Sequence, residues 1–108
     1  MKHRIRYLSL IVFFVIFMNT SNANAGAIVS GSIVNSLGQP VPGVTVSLFH
    51  RDFGRSAPSM SNMYGQYIFY GIPIHPIPYF IEVYWGRQLI YRYQIQVNNS
   101  LTWNIHIR

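Results

Sequence analysis

The chain reads Gly31-Ser32-Ile33-Val34-Asn35-Ser36-Leu37-Gly38-Gln39-Pro40-Val41-Pro42-Gly43-Val44-Thr45-Val46-Ser47-Leu48, and resumes at Gly65-Gln66-Tyr67-Ile68-Phe69. Apolar residues alternate with small polar ones on both sides of the segment 35–43. Val44, Val46 and Leu48 share one face, and Thr45 and Ser47 the other, which is the period of a half-buried strand. Gly38 accepts φ > 0, and Pro40 and Pro42 stop strand pairing, so the segment between is a turn. Two strands and a Gly-led third are the grammar of a small all-β sandwich.

Working outward, residues 27–34 form a first strand, with Gly31 as a bulge or close-packing position. Residues 44–51 form a second. The polar stretch 52–62 is a loop with room for a short strand near Met60. Residues 66–70 form the next strand. Pro73, Pro76 and Pro78 make 71–78 a connection rather than a central strand. From 79 to 85, Tyr79, Ile81, Val83 and Trp85 face one way, and Phe80, Glu82 and Tyr84 the other. Gly86-Arg87 marks a hairpin turn. Beyond it Leu89, Tyr91, Tyr93, Ile95 and Val97 share a face, opposite Ile90, Arg92, Gln94 and Gln96. In the last strand, 101–107, Leu101, Trp103, Ile105 and Ile107 point inward. Strands at about ten-residue spacing with turn residues between them are the sandwich signature, with no helical period and no internal repeat after residue 25.

Residues 1–25 read as a signal peptide. Lys2, Arg4 and Arg6 precede an apolar run from Tyr7 to Met18, and Ala23-Asn24-Ala25 is a small-x-small cleavage site. The run falls short of the ~20 apolar residues of a membrane span, and Asn19, Thr20, Ser21 and Asn22 follow it directly. The expected mature protein, 26–108, is one domain of 83 residues with no stable membrane span. It buries only about 60–65% of its unfolded surface. The whole chain has no Cys, so neither disulfides nor an N-terminal lipid on Cys supports it. Thirteen aromatic residues supply packing instead. The formal charge of +6 shrinks to +3 beyond residue 25, where five arginines face only Asp52 and Glu82. Scattered arginines without lysine are no nucleic-acid footprint.

The pattern Val29-Ser30-Gly31-x-Ile33-Val34-Asn35-x-x-Gly38-Gln39-Pro40-Val41-Pro42-Gly43-Val44-x-Val46 resembles the carboxypeptidase regulatory-like domain. In that family a first strand ends at Asp or Asn, and a Gly-x-Pro-turn leads into the second. Ser61-Asn62-Met63-Tyr64-Gly65-Gln66-Tyr67-Ile68-Phe69 matches the family's next element, with Ser for Thr. Gly71-Ile72-Pro73 and Tyr79-Phe80-Ile81-Glu82-Val83 match its short connection and the strand after it. The resemblance implies an all-β, seven-stranded antiparallel sandwich, transthyretin-like or Ig-like. It also implies a non-catalytic module with a binding or structural role. No protease residue carries over, and the domain stands alone, without an enzyme or transporter in the same chain.

The residues support no catalytic set. Paired-carboxylate hydrolysis needs two acids about 5–9.5 Å apart, and Asp52 at a strand end and Glu82 in mid-strand give no such pair. Calcium prefers several carboxylates. His50, His75 and His106 lack the close spacing of zinc ligands and read as ordinary surface or loop residues. No metal or cofactor is expected. Asn98-Asn99-Ser100 matches a glycosylation sequon but reads as a turn. What stands out is the second face of the strands. Phe49, Ile68, Tyr70, Phe80, Tyr84 and Ile90 point away from the assigned core, where a sandwich is ordinarily polar. Either one strand's inward face is misassigned, or loop 71–78 covers them, or they form a binding surface. The candidate site is therefore Phe49, Tyr70, Phe80 and Tyr84, with Arg51 and Arg92 at its rim. Its partner would be a protein or carbohydrate of the cell envelope, periplasmic or extracellular. The alternative is an accessory subunit of a separate secreted peptidase or outer-membrane transporter.

Overall fold

The structure is a computed structural model that describes residues 26–108. The expected leader, 1–25, and its cleavage site at Ala25 lie outside the described residues. Two sheets pack face to face. The first is ordered β5 (Gln66–Ile72), β1 (Ala27–Val34), β8 (Leu101–Thr102), with β9 (Ile105–His106) also against β1. The second is ordered β3 (Gly54–Arg55), β2 (Thr45–His50), β6 (Tyr79–Trp85), β7 (Gln88–Ile95), with β4 (Ser59–Met60) also on β2.

Alternation dictates the core. Val29 and Ile33 of β1, Tyr67 and Phe69 of β5 and Ile105 of β9 come from the first sheet. Val46 and Leu48 of β2, Ile81 and Val83 of β6 and Ile95 of β7 come from the second. All are buried and meet in one cluster. Each such side chain contributes roughly 1.5–3 kcal/mol on full burial.

Nine strands replace the expected seven among the described residues, because four are two-residue pieces. Met60 does lie in one of them, β4. The C-terminal run is interrupted, and it runs parallel to β1, not antiparallel. Val29 pairs with Leu101 and Ile33 with Ile105, so the register is the same on both sides of the break. Side chains cause the break. The N–H of Ser32 donates to Asn104 Oδ1 at 3.0 Å, and the Trp103 carbonyl accepts from the Tyr67 hydroxyl instead. A Cβ on Gly31 would collide with that carbonyl. Gly31 is thus a close-packing glycine, and the bulge in β1 lies between Ala27 and Val29.

A second irregularity lies between Val83 and Tyr84, where Val83 pairs with Tyr91 but Tyr84 with Leu89. The extra residue, Ile90, reverses the alternation of β7. Ile90 therefore packs against the core, and Leu89 is exposed. Both reverse the faces expected from strict alternation. Trp85, expected inward, is exposed beyond the end of the core. Trp103, also expected in the core, is half-buried at the seam between sheets. Its indole stacks on Tyr93 with ring centroids 5.2 Å apart, and its N–H donates to Tyr91 Oη at 3.2 Å.

Two turns at one end share a design. In Asn35-Ser36-Leu37-Gly38-Gln39 the Asn35 Oδ1 accepts from Leu37 N–H and Gln39 N–H, and Asn35 Nδ2 donates to Gln39 Oε1. In Asn62-Met63-Tyr64-Gly65-Gln66 the Asn62 Oδ1 accepts from Tyr64 N–H and Gln66 N–H, and Asn62 Nδ2 donates to Gln66 Oε1. The motif Asn-x-x-Gly-Gln recurs, with both glycines at positive φ. The turns lie side by side, since the Ile33 N–H donates to the Gly65 carbonyl at 2.8 Å.

Candidate functional site

The outer face of the second sheet carries a continuous network. Register places Ser47 opposite Glu82 and Glu82 opposite Arg92. Phe49 lies opposite Phe80 on one side and Arg55 on the other, and Thr45 opposite Tyr84. Glu82 sits in the middle with its carboxylate covered. Arg55 donates to Oε1 through Nη2 at 2.8 Å and Nε at 3.1 Å. Arg92 Nε donates to Oε2 at 3.1 Å, and the Tyr84 hydroxyl to Oε1 at 3.2 Å. Burial opposes the charge on Glu82. The hydrogen bonds from Arg55 and Arg92, the positive charge of Arg55 and the bond from Tyr84 outweigh it, holding the carboxyl below its usual range.

The same guanidiniums lie over the aromatic rings. Arg92 Cζ is 3.9 Å from the Phe80 centroid, and Arg55 Cζ is 5.2 Å from that of Phe49. Two arginines against one carboxylate leave this face one positive charge in excess. The Nη1 of Arg55 and both Nη of Arg92 make no hydrogen bond to the described residues. The surface is therefore half-buried and cationic, with spare guanidinium donors for an incoming acceptor.

The expected cluster divides. Phe49, Phe80, Tyr84 and Arg92 are brought together, with Arg55 and Glu82 as members that the sequence reading left out. Tyr70 belongs to β5, on the outer face of the opposite sheet. Arg51 lies past the end of β2 and pairs with Asp52 at 3.6 Å. Ile68 shares the face of Tyr70, also opposite the cluster.

Loop 71–78 does not reach this face. It packs on the end of β2 instead. The His50 Nδ1 accepts from Asp52 N–H, and its Nε2–H donates to the Ile77 carbonyl at 3.1 Å. The Ile77 N–H in turn donates to His75 Nδ1, whose Nε2 lies 4.0 Å from Asp52 Oδ2. His50 is fully buried, stacked on Phe53 and packed against a tilted Tyr79 ring. Its burial overturns the expectation of a surface or loop histidine, since both ring nitrogens are used internally. Among the described residues no group of three or more His, Asp or Glu is placed to hold a metal ion. Asp52 and Glu82 belong to separate networks.

No family model matches the chain, and no curated protein does. Solved structures do. The 5-hydroxyisourate hydrolase of Klebsiella pneumoniae is similar with a TM-score of 0.55 and 21% identity, over 74% of this chain and 90% of that one. BcpA, the major pilin subunit of Bacillus cereus, is similar with a TM-score of 0.53 and 18% identity, over 77% of this chain and 29% of that one. A candidate carbohydrate-binding protein of Bacteroides uniformis is similar with a TM-score of 0.53 and 15% identity, over 75% and 40%. This chain spans 15% of another match, the TIE protein of Bacillus anthracis. At these identities the likeness shows the fold alone, a two-sheet β-sandwich consistent with the transthyretin-like type.

Proposed function

We propose that this protein is a non-catalytic, exported β-sandwich of the carboxypeptidase regulatory-like kind that docks on another protein of the cell envelope. The docking surface is the outer face of β2, β6 and β7. The observation that carries this reading is the pairing of Arg92 over Phe80 and Arg55 over Phe49 around a single buried carboxylate. Arginine and aromatic side chains dominate binding hot spots, and a guanidinium fork matches a carboxylate. With Arg92 lying over Phe80, that ring is less open to sugar stacking, which favours an acid-bearing protein over a glycan here. The pilin and carbohydrate-binding neighbours support a binding module, without assigning a partner. Export rests on the sequence of residues 1–25.

A photo-crosslinking amino acid placed at Tyr84 should trap a discrete envelope protein in cells, and the same group at Tyr70 should not trap it. Replacing Arg55, Glu82 and Arg92 together by Gln, so that no buried charge is left uncovered, should abolish the adduct while the protein remains folded by circular dichroism. Equal trapping from both faces, or none from Tyr84, would refute the reading. If the trapped protein is a secreted peptidase or an outer-membrane transporter, the module is its accessory subunit.

A further inference from the structure

The opposite face of the sandwich holds a different kind of surface. A groove of about 550 Å³ runs over β1 between β4, β5 and β8. Ligand sites for small molecules span ~300–1,000 Å³. No acidic, basic or imidazole side chain lines the groove. Its walls set hydroxyls and amides among the apolar side chains of Met60 and Ile68, and the internal hydrogen bonds decide which way those amides face.

Asn104 contributes one wall. Its Oδ1 is taken by the Ser32 N–H, so its Nδ2 is the end left over for a ligand. Gln66 contributes another. Its Oε1 accepts from Asn62 Nδ2, whose own Oδ1 is held by two backbone N–H groups, so Gln66 Nε2 is likewise free. Ser32 lies between them, opposite Gln66 and bonded to Asn104, and Ser30 and Thr102 sit side by side in the next row. Ile68 forms an apolar strip across from Ser30. Two residues further along the same face of β5 stands Tyr70, 69% exposed.

We infer that this groove is a binding site for a neutral oligosaccharide. Fixed NH₂ donors and hydroxyls suit a ligand dense in hydroxyl and ring oxygens, and the lack of ionisable groups suits an uncharged one. Tyr70 supplies a platform for the apolar face of a sugar ring. An extended polypeptide fits less well. Strand addition needs a free edge; β1 is paired on both sides, and at the outer edge of β5 the Gln66 and Ile68 N–H groups are already taken by Asn62 Oδ1 and Ser59 Oγ. The site is separate from the docking face, so either can fail without the other.

The test is titration of the Gly26–Arg108 domain with maltohexaose, cellohexaose and chitohexaose, followed by heteronuclear NMR. An alginate hexasaccharide and a neutral Gly/Ser/Thr decapeptide serve as counter-probes. At least one neutral hexasaccharide should shift the side-chain NH₂ signals of Asn104 and Gln66 at millimolar concentration. Asn104→Asp and Gln66→Glu each keep the internal acceptor and remove the free donor. Each should weaken binding about tenfold, or 1.4 kcal/mol, and Tyr70→Ser should weaken it as well. Gln66 and Tyr70 are exposed, so their variants keep the test decisive if Asn104→Asp disturbs the strand. No shift at the groove with any neutral saccharide, undiminished affinity in the variants, or preference for alginate or the decapeptide would each overturn the inference.

Discussion

Replacing Tyr67 by Phe removes one oxygen from the point where the C-terminal strand breaks. That hydroxyl is the donor to the Trp103 carbonyl. The neighbouring backbone donor, the Ser32 N–H, is already committed to Asn104 Oδ1. The carbonyl is turned toward Gly31, where no side chain exists to replace the lost bond. An acceptor left without its partner in such a place costs about 1–3 kcal/mol. With a urea slope of about 1 kcal/mol per molar for a small domain, the unfolding midpoint should fall by about 1–3 M. The melting midpoint should fall by about 4–8 °C for each kcal/mol. A second readout is independent of the first. Burial, helped by nearby Tyr91, pushes the Tyr67 phenol well above its ordinary range. Its contribution is fully present below the unfolded value of about 10, and is lost as pH rises above that, because the unfolded chain then ionises first. Tyr67→Phe should abolish that alkaline loss. A midpoint shift below about 0.3 M, or an unchanged alkaline limb, would refute the account of this strand break.

Further expectations follow from the core, the buried acid and the leader. Phe69→Ala should cost about 3–5 kcal/mol in urea unfolding, whereas Trp103→Ala, at the half-buried seam, should cost about 1–3 kcal/mol. Because the folded Glu82 carboxyl is held low, its contribution is present above the unfolded value of about 4.3. It should fade as pH falls below that, and acid titration of Glu82→Gln should show a shallower loss. N-terminal sequencing of exported protein should begin at Gly26; an intact Met1 in the membrane fraction would contradict export by cleavage.

Much of the fold was legible because side-chain alternation is a local property. Val46, Leu48, Tyr67, Phe69, Ile81, Val83 and Ile105 are buried as their spacing requires. The failures came where a local rule met a non-local one. The bulge at Val83 and Tyr84 displaces Ile90 inward, and nothing in the alternating run of β7 announces it. The parallel pairing of β8 and β9 with β1 depends on chain ends about seventy residues apart. The candidate site was legible in part for a related reason. Alternation separates inward from outward but does not say which of two sheets a strand joins. Tyr70 and Phe80 are both outward, on opposite sides of the molecule. Arg55 was missed because it sits in a two-residue strand inside a loop-like segment. Its signal was available in charge: with only two acids beyond residue 25, a mid-strand Glu82 required cationic cover.

The paired turns have a consequence for how this protein can change. In each pentapeptide the Asn, Gly and Gln close the loop, and the two residues between Asn and Gly carry none of that work with their side chains. Ser36, Leu37, Met63 and Tyr64 are all exposed at one end of the sandwich. Substitutions there leave the closing bonds of both turns in place, so these four positions are free to vary while the scaffold stays constant. That makes the end evolvable ground, and an apt place for a randomised library. Loss of Asn35 or Asn62, by contrast, would end that freedom at its own turn.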